Sequence, residues 1–277
     1  MTGRALVREG EEVLAAAGVK EPGYDARALF LFAAQLTLTD YVRSADGEVP
    51  EEVRAAFSSY CARRAVGEPL QYITRSAPFY GRDFYVDEGV LIPRFDTETL
   101  IEAVLPRMRR GMRVLDLCTG SGCIPVTLAL EGPGETEVTG SDISEAALRV
   151  AGINASRLGA DVRFIRSDLF LQISGRYDII TANPPYIRSA DIDRLDKEVR
   201  LYEPRTALDG SEDGLLFYRR IAGDAGAHLV PGGLLAFEIG ADQAEDVRAV
   251  MKDSGFCDLT VFKDLAGLDR VVLGVWT

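Results

Sequence analysis

Asn183-Pro184-Pro185-Tyr186 closes a short apolar run, Tyr177–Asn183, and its residue types suit one kind of chemistry. Two consecutive prolines fix the backbone and remove two N–H donors, so carbonyls are the polar groups the turn offers. Asn183 adds a side-chain acceptor beside two donors. Its Oδ1 and the Pro184 carbonyl can together accept both protons of a planar –NH2 group, with Tyr186 as an aromatic wall. The alternative is a rigid polar turn that merely ends a strand. What lies upstream separates the two.

Upstream, Val114-Leu115-Asp116-Leu117-Cys118-Thr119-Gly120-Ser121-Gly122-Cys123 reads as a strand running into a glycine turn and then a helix. Gly120 and Gly122 let the backbone approach a ligand where a Cβ would clash, and the helix start adds exposed N–H groups. Pro125 stands where a dinucleotide fingerprint has its third glycine, and no Gly-Lys-Ser/Thr follows. A nucleoside cofactor without a phosphate chain, such as S-adenosylmethionine, fits such a loop, with Cys118, Thr119, Gly120, Ser121 and Gly122 around it. A plain strand-to-helix turn is the competing reading.

Two further strand ends carry carboxylates. Gly140-Ser141-Asp142 is positioned as the acidic residue that accepts ribose hydroxyls. In Arg166-Ser167-Asp168-Leu169-Phe170, Asp168 suits an adenine amino group and Phe170 the ring face, with Leu169 between them. Singly, Asp116, Asp142 and Asp168 are turn or cap residues. On three successive strands they favour a nucleoside site, with Asn183 at its far side. The expected substrate-contacting residues are Asn183, Pro184, Pro185 and Tyr186; Asn183, Pro184 and Tyr186 carry the catalysis.

The elements that must position these residues follow from periodicity. Over residues 1–75, Leu6, Val13, Leu14 and Ala17, then Ala26, Leu29, Phe30, Ala33 and Leu36, fall at helical spacing, and Pro50-Glu51-Glu52 starts a further helix. A small helical bundle domain is expected there. Residues 76–92, with Phe79, Tyr80, Phe84 and Tyr85 broken by Gly81 and Gly89, predict a β-hairpin linker. Asp96-Thr97-Glu98 reads as a helix cap. From residue 93 to 277, short apolar runs alternate with helical patterns: Arg113–Cys118, Glu137–Asp142, Val162–Asp168, Tyr177–Asn183 and Gly232–Ile239, closed by a hairpin of Cys257–Asp264 and Asp269–Trp276. This is the signature of an α/β fold, a Rossmann-like open sheet of about seven strands. Ligands in such sheets bind outside the strands' carboxyl ends. The polar stretch between Tyr186 and Gly214 reads either as a cover over the substrate or as a solvated loop.

Composition narrows the possibilities. The chain has 277 residues, a formal charge of −12 and a hydrophobic fraction of 47%. No apolar stretch is long enough to span a membrane, and the N-terminal residues lack a signal-peptide pattern, so a cytoplasmic protein is expected. Cys61, Cys118, Cys123 and Cys257 have no metal-ligand spacing, and His228 is the single histidine; no metal site is expected. A serine hydrolase would need that histidine, which lies at a helix end apart from every motif. The acidic charge weighs against a broad nucleic-acid surface.

Asp116-x-x-Thr119-Gly120-Ser121-Gly122 followed by Asn183-Pro184-Pro185-Tyr186 resembles class I methyltransferases that act on planar amino groups. Gly67-Glu68-Pro69-Leu70-Gln71-Tyr72, Leu91-Ile92-Pro93-Arg94-x-Asp96-Thr97-Glu98, Glu203-Pro204-Arg205-x-Ala207-Leu208-Asp209-Gly210 and Lys263-Asp264-Leu265-Ala266-Gly267 narrow the match. Together they are similar to the release-factor glutamine methyltransferase family (HemK/PrmC), over nearly the whole chain. The resemblance implies methyl transfer from S-adenosylmethionine, leaving S-adenosylhomocysteine, to the Gly-Gly-Gln glutamine of class I peptide-chain release factors. It implies a monomer that recognises the factor partly through the helical domain, with no membrane or direct nucleic-acid substrate. Cys118 replaces a common glycine, and Phe95 a common proline. A ribosomal-protein glutamine methyltransferase, a nucleic-acid amino methyltransferase and a non-catalytic binding module are the rival readings.

Overall fold

Alternating strand and helix patterns leave an open sheet little choice but to bury both faces under helices. The computed structural model describes all 277 residues and divides into two units, Met1–Ser76 with Asp196–Tyr202, and Ala77–Leu195 with Glu203–Thr277. The first is helical: α1 (Gly3–Ala16), α2 (Pro22–Ala34), α3 (Leu38–Ser44), α4 (Glu51–Ala65) and α5 (Leu70–Thr74). Thr2 caps α1 by accepting from the Ala5 N–H. Leu6, Leu14, Leu29, Phe30, Phe57 and Ile73 form its core. A Cβ on Gly10 would lie 2.4 Å from the Phe57 ring, so the absence of a side chain lets α1 and α4 approach. Helices α3 and α5 are too short to leave a periodic signal in the sequence. Residues 196–202, expected in the catalytic domain, group with this unit instead.

The second unit opens with a hairpin, β1 (Ala77–Phe79) and β2 (Arg82–Phe84). Tyr80 and Gly81 both have positive φ, the geometry that a two-residue hairpin turn requires. The hairpin is shorter than the expected 76–92 linker: after Phe84 the chain leaves the ladder, and Val86, Val90 and Ile92 are buried as irregular backbone. Phe79 and Phe84 meet edge to face at 5.8 Å and belong to the core under the sheet. The hairpin is thus packed into this unit.

A 3-10 turn, Phe95–Thr97, leads into α6 (Glu98–Val104). The sheet then forms from β3 (Arg113–Leu117), β4 (Glu137–Asp142), β5 (Val162–Arg166), β6 (Tyr177–Ala182), β7 (Leu229–Glu238), β8 (Phe256–Lys263) and β9 (Asp269–Trp276). Its order is β5-β4-β3-β6-β7-β9-β8, parallel through β7, with β9 antiparallel to both β7 and β8. Helices α7 (Cys123–Glu131) and α8 (Glu145–Leu158) pack with α6 on the face bearing Val114 and Ile179. Helices α10 (Leu216–His228) and α11 (Ala244–Asp253) cover the face bearing Leu115, Leu117 and Phe237. Between β6 and α10 the chain makes 3-10 turns at Ser189–Arg194 and Arg205–Ala207, with α9 (Lys197–Tyr202) between them. No helix is long and apolar enough to cross a membrane.

Strand order reverses between β3 and β6. A crevice opens where the connections leave a sheet in opposite directions, and the ligand-binding ends of a doubly wound sheet lie there.

Candidate active site

A cavity of about 720 Å³ occupies that crevice, within the range expected for a cofactor-sized ligand. The loop after β3 forms its floor. Asp142 and Ser144 line one side, Ser167, Asp168 and Leu169 the next, and Asn183 and Pro185 the far side. The glycine loop, two of the predicted carboxylates and the N-P-P turn therefore meet around one space.

The loop is shaped by its backbone. Cys118, Gly120 and Gly122 all have positive φ. A Cβ on Gly122 would lie 2.9 Å from the Ala151 Cβ, so glycine is needed there both for conformation and for helix packing. Cys118 holds the same left-handed backbone with a side chain, the conformation for which the family's usual glycine is suited. Burial pushes its thiol well above the ordinary range, so it is a neutral wall and not a nucleophile. A Cβ on Gly120, a residue of the cavity lining, would meet no protein atom within 4 Å.

Asp142 holds this loop and also faces the cavity. Its carboxylate accepts from the Gly120 N–H at 2.9 Å and the Ser144 N–H at 2.8 Å. Burial pushes its carboxyl upward against these backbone donors. A carboxylate has about four acceptor positions, so capacity remains for a ligand hydroxyl. Asp168 pairs with Arg220 of α10 at 2.9 Å, and both line the cavity.

Asp116 does not reach the space. Side chains alternate along β3, so Asp116 falls on the face of Val114, beneath the helices. It is completely buried and accepts from the hydroxyls of Thr119 and, at 2.7 Å, Thr181. Burial pushes its carboxyl up to about 7. Its work is to tie the loop to β6. Phe170 is also displaced from its expected role: it is stacked on His228 at 4.6 Å, outside the cavity lining, while Leu169 takes the wall position.

Asn183 faces the cavity from the end of β6, and its Nδ2 donates to the Thr97 hydroxyl at 3.5 Å. Thr97 therefore serves the site instead of capping α6, where it makes no side-chain cap. Asn183 Oδ1 and the Pro184 carbonyl receive no donor from the protein. Pro184 and Tyr186 lie behind the lining rather than in it; burial pushes the Tyr186 hydroxyl up to about 12, keeping it neutral.

The turn is braced from outside. A Cβ on Gly210 would sit 2.7 Å from the Tyr186 Cα, and Gln243 donates to the Tyr186 carbonyl at 3.1 Å. Gly210 donates to the Ile187 carbonyl at 2.8 Å, and Ile187 to the Leu208 carbonyl at 3.0 Å. Arg94, at the cavity edge, is paired at 2.6 Å with buried Glu203, whose neighbours Pro204–Ala207 line the cavity. On the other side, Asn154 of α8 donates to the Ser121 carbonyl at 2.9 Å and binds both backbone groups of Tyr85. Sequence reasoning misses Asn154 and Gln243, and it marks Glu203 and Gly210 only as parts of a family segment, without a place in the site. A fully buried asparagine inside a helix was the one available signal, since asparagine competes poorly there without a partner.

Comparison with known proteins gives two family matches, the PrmC N-terminal domain over residues 5–74 and the methyltransferase small domain over residues 93–199. A release factor glutamine methyltransferase of Agrobacterium fabrum is 44% identical over 267 residues, covering 94% of this chain and 92% of its own. One from Geobacter sulfurreducens is 48% identical over 226 residues, covering 81% and 79%. Among solved structures, the Thermus thermophilus 16S rRNA N2 G1207 methyltransferase, in complex with AdoMet and guanosine, shares the fold. Its TM-score is 0.54 at 21% identity, over 73% of this chain and 50% of that one.

Proposed function

The chain belongs to the release factor glutamine methyltransferase family, and from that premise we propose how its cavity carries out the reaction. The activity is S-adenosylmethionine-dependent methylation of a release factor glutamine. The finer reading is that the acceptor is the Gly-Gly-Gln glutamine of class I factors and that the protein acts as a cytoplasmic monomer without a metal.

The residues present fit the cofactor. Asp142 has acceptor capacity to spare for a ribose hydroxyl. Asp168 and Leu169 offer an acceptor and an apolar surface to the base. The open space at Gly120 leaves room for a ligand against the backbone. When bound, S-adenosylmethionine supplies an electrophilic methyl group on a positively charged sulfur.

The observation that carries the mechanism is Asn183 in the cavity lining with its Oδ1 unengaged, with the equally unengaged Pro184 carbonyl next to it, just behind that lining. An amide nitrogen is a poor nucleophile because its lone pair is delocalised into the carbonyl. Two acceptors that hold both N–H bonds would fix the nitrogen's orientation and favour the tetrahedral geometry it acquires as the N–C bond forms and the methyl–sulfur bond breaks; the methylated nitrogen, then strongly acidic, gives one proton up to solvent. Positioning and directed hydrogen bonds supply the acceleration. Asn183 is the principal acceptor, Pro184 the second, and Tyr186 supports the turn from behind.

The test is transfer of labelled methyl from S-adenosylmethionine to a purified release factor, beside a factor whose loop glutamine is replaced by alanine. Label in the first and none in the second is expected, unchanged by ribonuclease. Equal labelling of both, or loss of label with ribonuclease, overturns the reading.

A further inference from the structure

Register places Glu238 beside the proposed substrate acceptor. In the parallel pairing of β6 and β7, Ala182 lies opposite Phe237, so the next residues along, Asn183 and Glu238, end the two strands side by side. Glu238 is 2% exposed and does not line the cavity. Its Oε2 has no hydrogen-bond partner. A buried carboxylate with an open acceptor position calls for an explanation, because leaving it unsatisfied is costly.

The groups around it are few and identifiable. Thr97, from the 3-10 turn before α6, and Asn183, from the end of β6, are the uncharged polar side chains beside it. Arg270 of β9 attracts it from one side, and Asp96 repels it. Arg270 itself is held by Asp264 at 3.0 Å and Asp96 at 3.2 Å, and donates to the Ile239 carbonyl. Tyr186, Tyr218 and Cys123 are the remaining titratable neighbours, all kept neutral by burial, and the Tyr218 hydroxyl donates to the Glu238 backbone carbonyl at 2.9 Å.

An asparagine side chain can present either its oxygen or its nitrogen to the substrate, and only the oxygen accepts an N–H. The Thr97 hydroxyl accepts from Nδ2, and the carboxylate of Glu238, at the end of the neighbouring strand, favours the same orientation, with Nδ2 turned inward and Oδ1 toward the cavity. We propose that Glu238 is a positioning residue for methyl transfer: its carboxylate holds the Asn183 amide in the acceptor-outward orientation and, when ionised, polarises it so that Oδ1 accepts the substrate N–H more strongly. This rests on the methyl-transfer role assigned to Asn183 above.

Burial pushes the Glu238 carboxyl up to about 7. The neutral acid has one donor and resembles a glutamine side chain; the anion offers only acceptors. Charge-assisted hydrogen bonds exceed neutral ones by enough to change a rate about tenfold. The wild-type kcat should therefore rise with pH through neutrality, as the carboxyl loses its proton.

The experiment compares wild type, Glu238→Gln and Thr97→Val in methyl transfer to the release factor from pH 6 to 9, with cofactor binding measured by calorimetry. Glu238→Gln should bind S-adenosylmethionine as wild type does and show a flat kcat profile at the wild type's acid-side level, about tenfold below its alkaline plateau. Thr97→Val should retain the pH-dependent rise at a lower kcat, which serves as an independent reading if Glu238→Gln folds poorly. A Glu238→Gln profile that still rises with pH, or a Thr97→Val profile that is flat, overturns the proposal. A wild-type enzyme that transfers no methyl group would instead overturn the function itself.

Discussion

The two walls of the cavity are built on different principles. On the wall formed by the loop after β3 and the end of β4, carboxylates do the holding: Asp142 accepts from the Gly120 and Ser144 N–H groups, and Asp116 ties Thr119 to Thr181 through their hydroxyls. On the N-P-P-Tyr wall there are two prolines and few donors. Close steric contact from Gly210 and a single amide, Gln243, keep the turn in place. The first wall has spare acceptors suited to holding a neutral nucleoside at equilibrium. The second leaves two acceptors unengaged at fixed positions, an arrangement whose value is realised as a new bond forms. On the proposed reading, binding and turnover are divided between the walls.

The strongest way to break this division is at Asn183. Asn183→Ala should lower kcat by about 10²–10³-fold, the scale for removing one directed hydrogen bond from a transition state. Cofactor affinity by calorimetry should stay within a few-fold of wild type. The opposite wall should behave inversely. Asp142→Ala removes charge-assisted acceptors and should weaken cofactor binding by roughly 10–100-fold, with kcat at saturating cofactor nearly intact.

A subtler probe is Gly210→Ala. The added methyl would press on the Tyr186 backbone, so kcat should fall by about tenfold while binding of S-adenosylmethionine is preserved. An equal loss in both would mean that the walls move as one. The smallest effect belongs to Cys118→Gly. Relieving a left-handed residue is worth about 1 kcal/mol or less after the greater unfolded-state entropy of glycine is counted. The melting temperature should shift by no more than a few degrees, with both binding and kcat unchanged.

The same contrast explains what could be read from the chain alone. Strand ends are visible in sequence because apolar runs stop at polar residues, so the places of Asp142, Asp168, the glycine loop and Asn183 at or just past the ends of β4, β5, β3 and β6 are legible there. Which face a strand-end residue occupies is a tertiary matter. Asp116 lies in a strand whose alternation turns it under α7, and Phe170, two residues past Asp168, turns away to His228. The supports of the second wall come from distant segments. Gln243 and Glu238 meet the turn only after β7 and α11 are in place, and neither carries a local spacing that announces it; Gly210 stands in a recognisable segment, but its contact with Tyr186 is tertiary. The hairpin was overextended for a related reason: Val86, Val90 and Ile92 are apolar because they are buried, without belonging to a strand.

The division of labour is tested most directly by a double-variant cycle of Asn183→Ala and Asp142→Ala, with cofactor affinity and single-turnover methyl transfer at saturating cofactor measured for all four proteins. Independent walls predict additivity: the affinity loss of Asp142→Ala should be the same in either background, as should the rate loss of Asn183→Ala. If Asp142→Ala lowers the saturated single-turnover rate as much as Asn183→Ala does, or if the Asn183 effect disappears in its presence, binding and turnover are not separated and the account is contradicted.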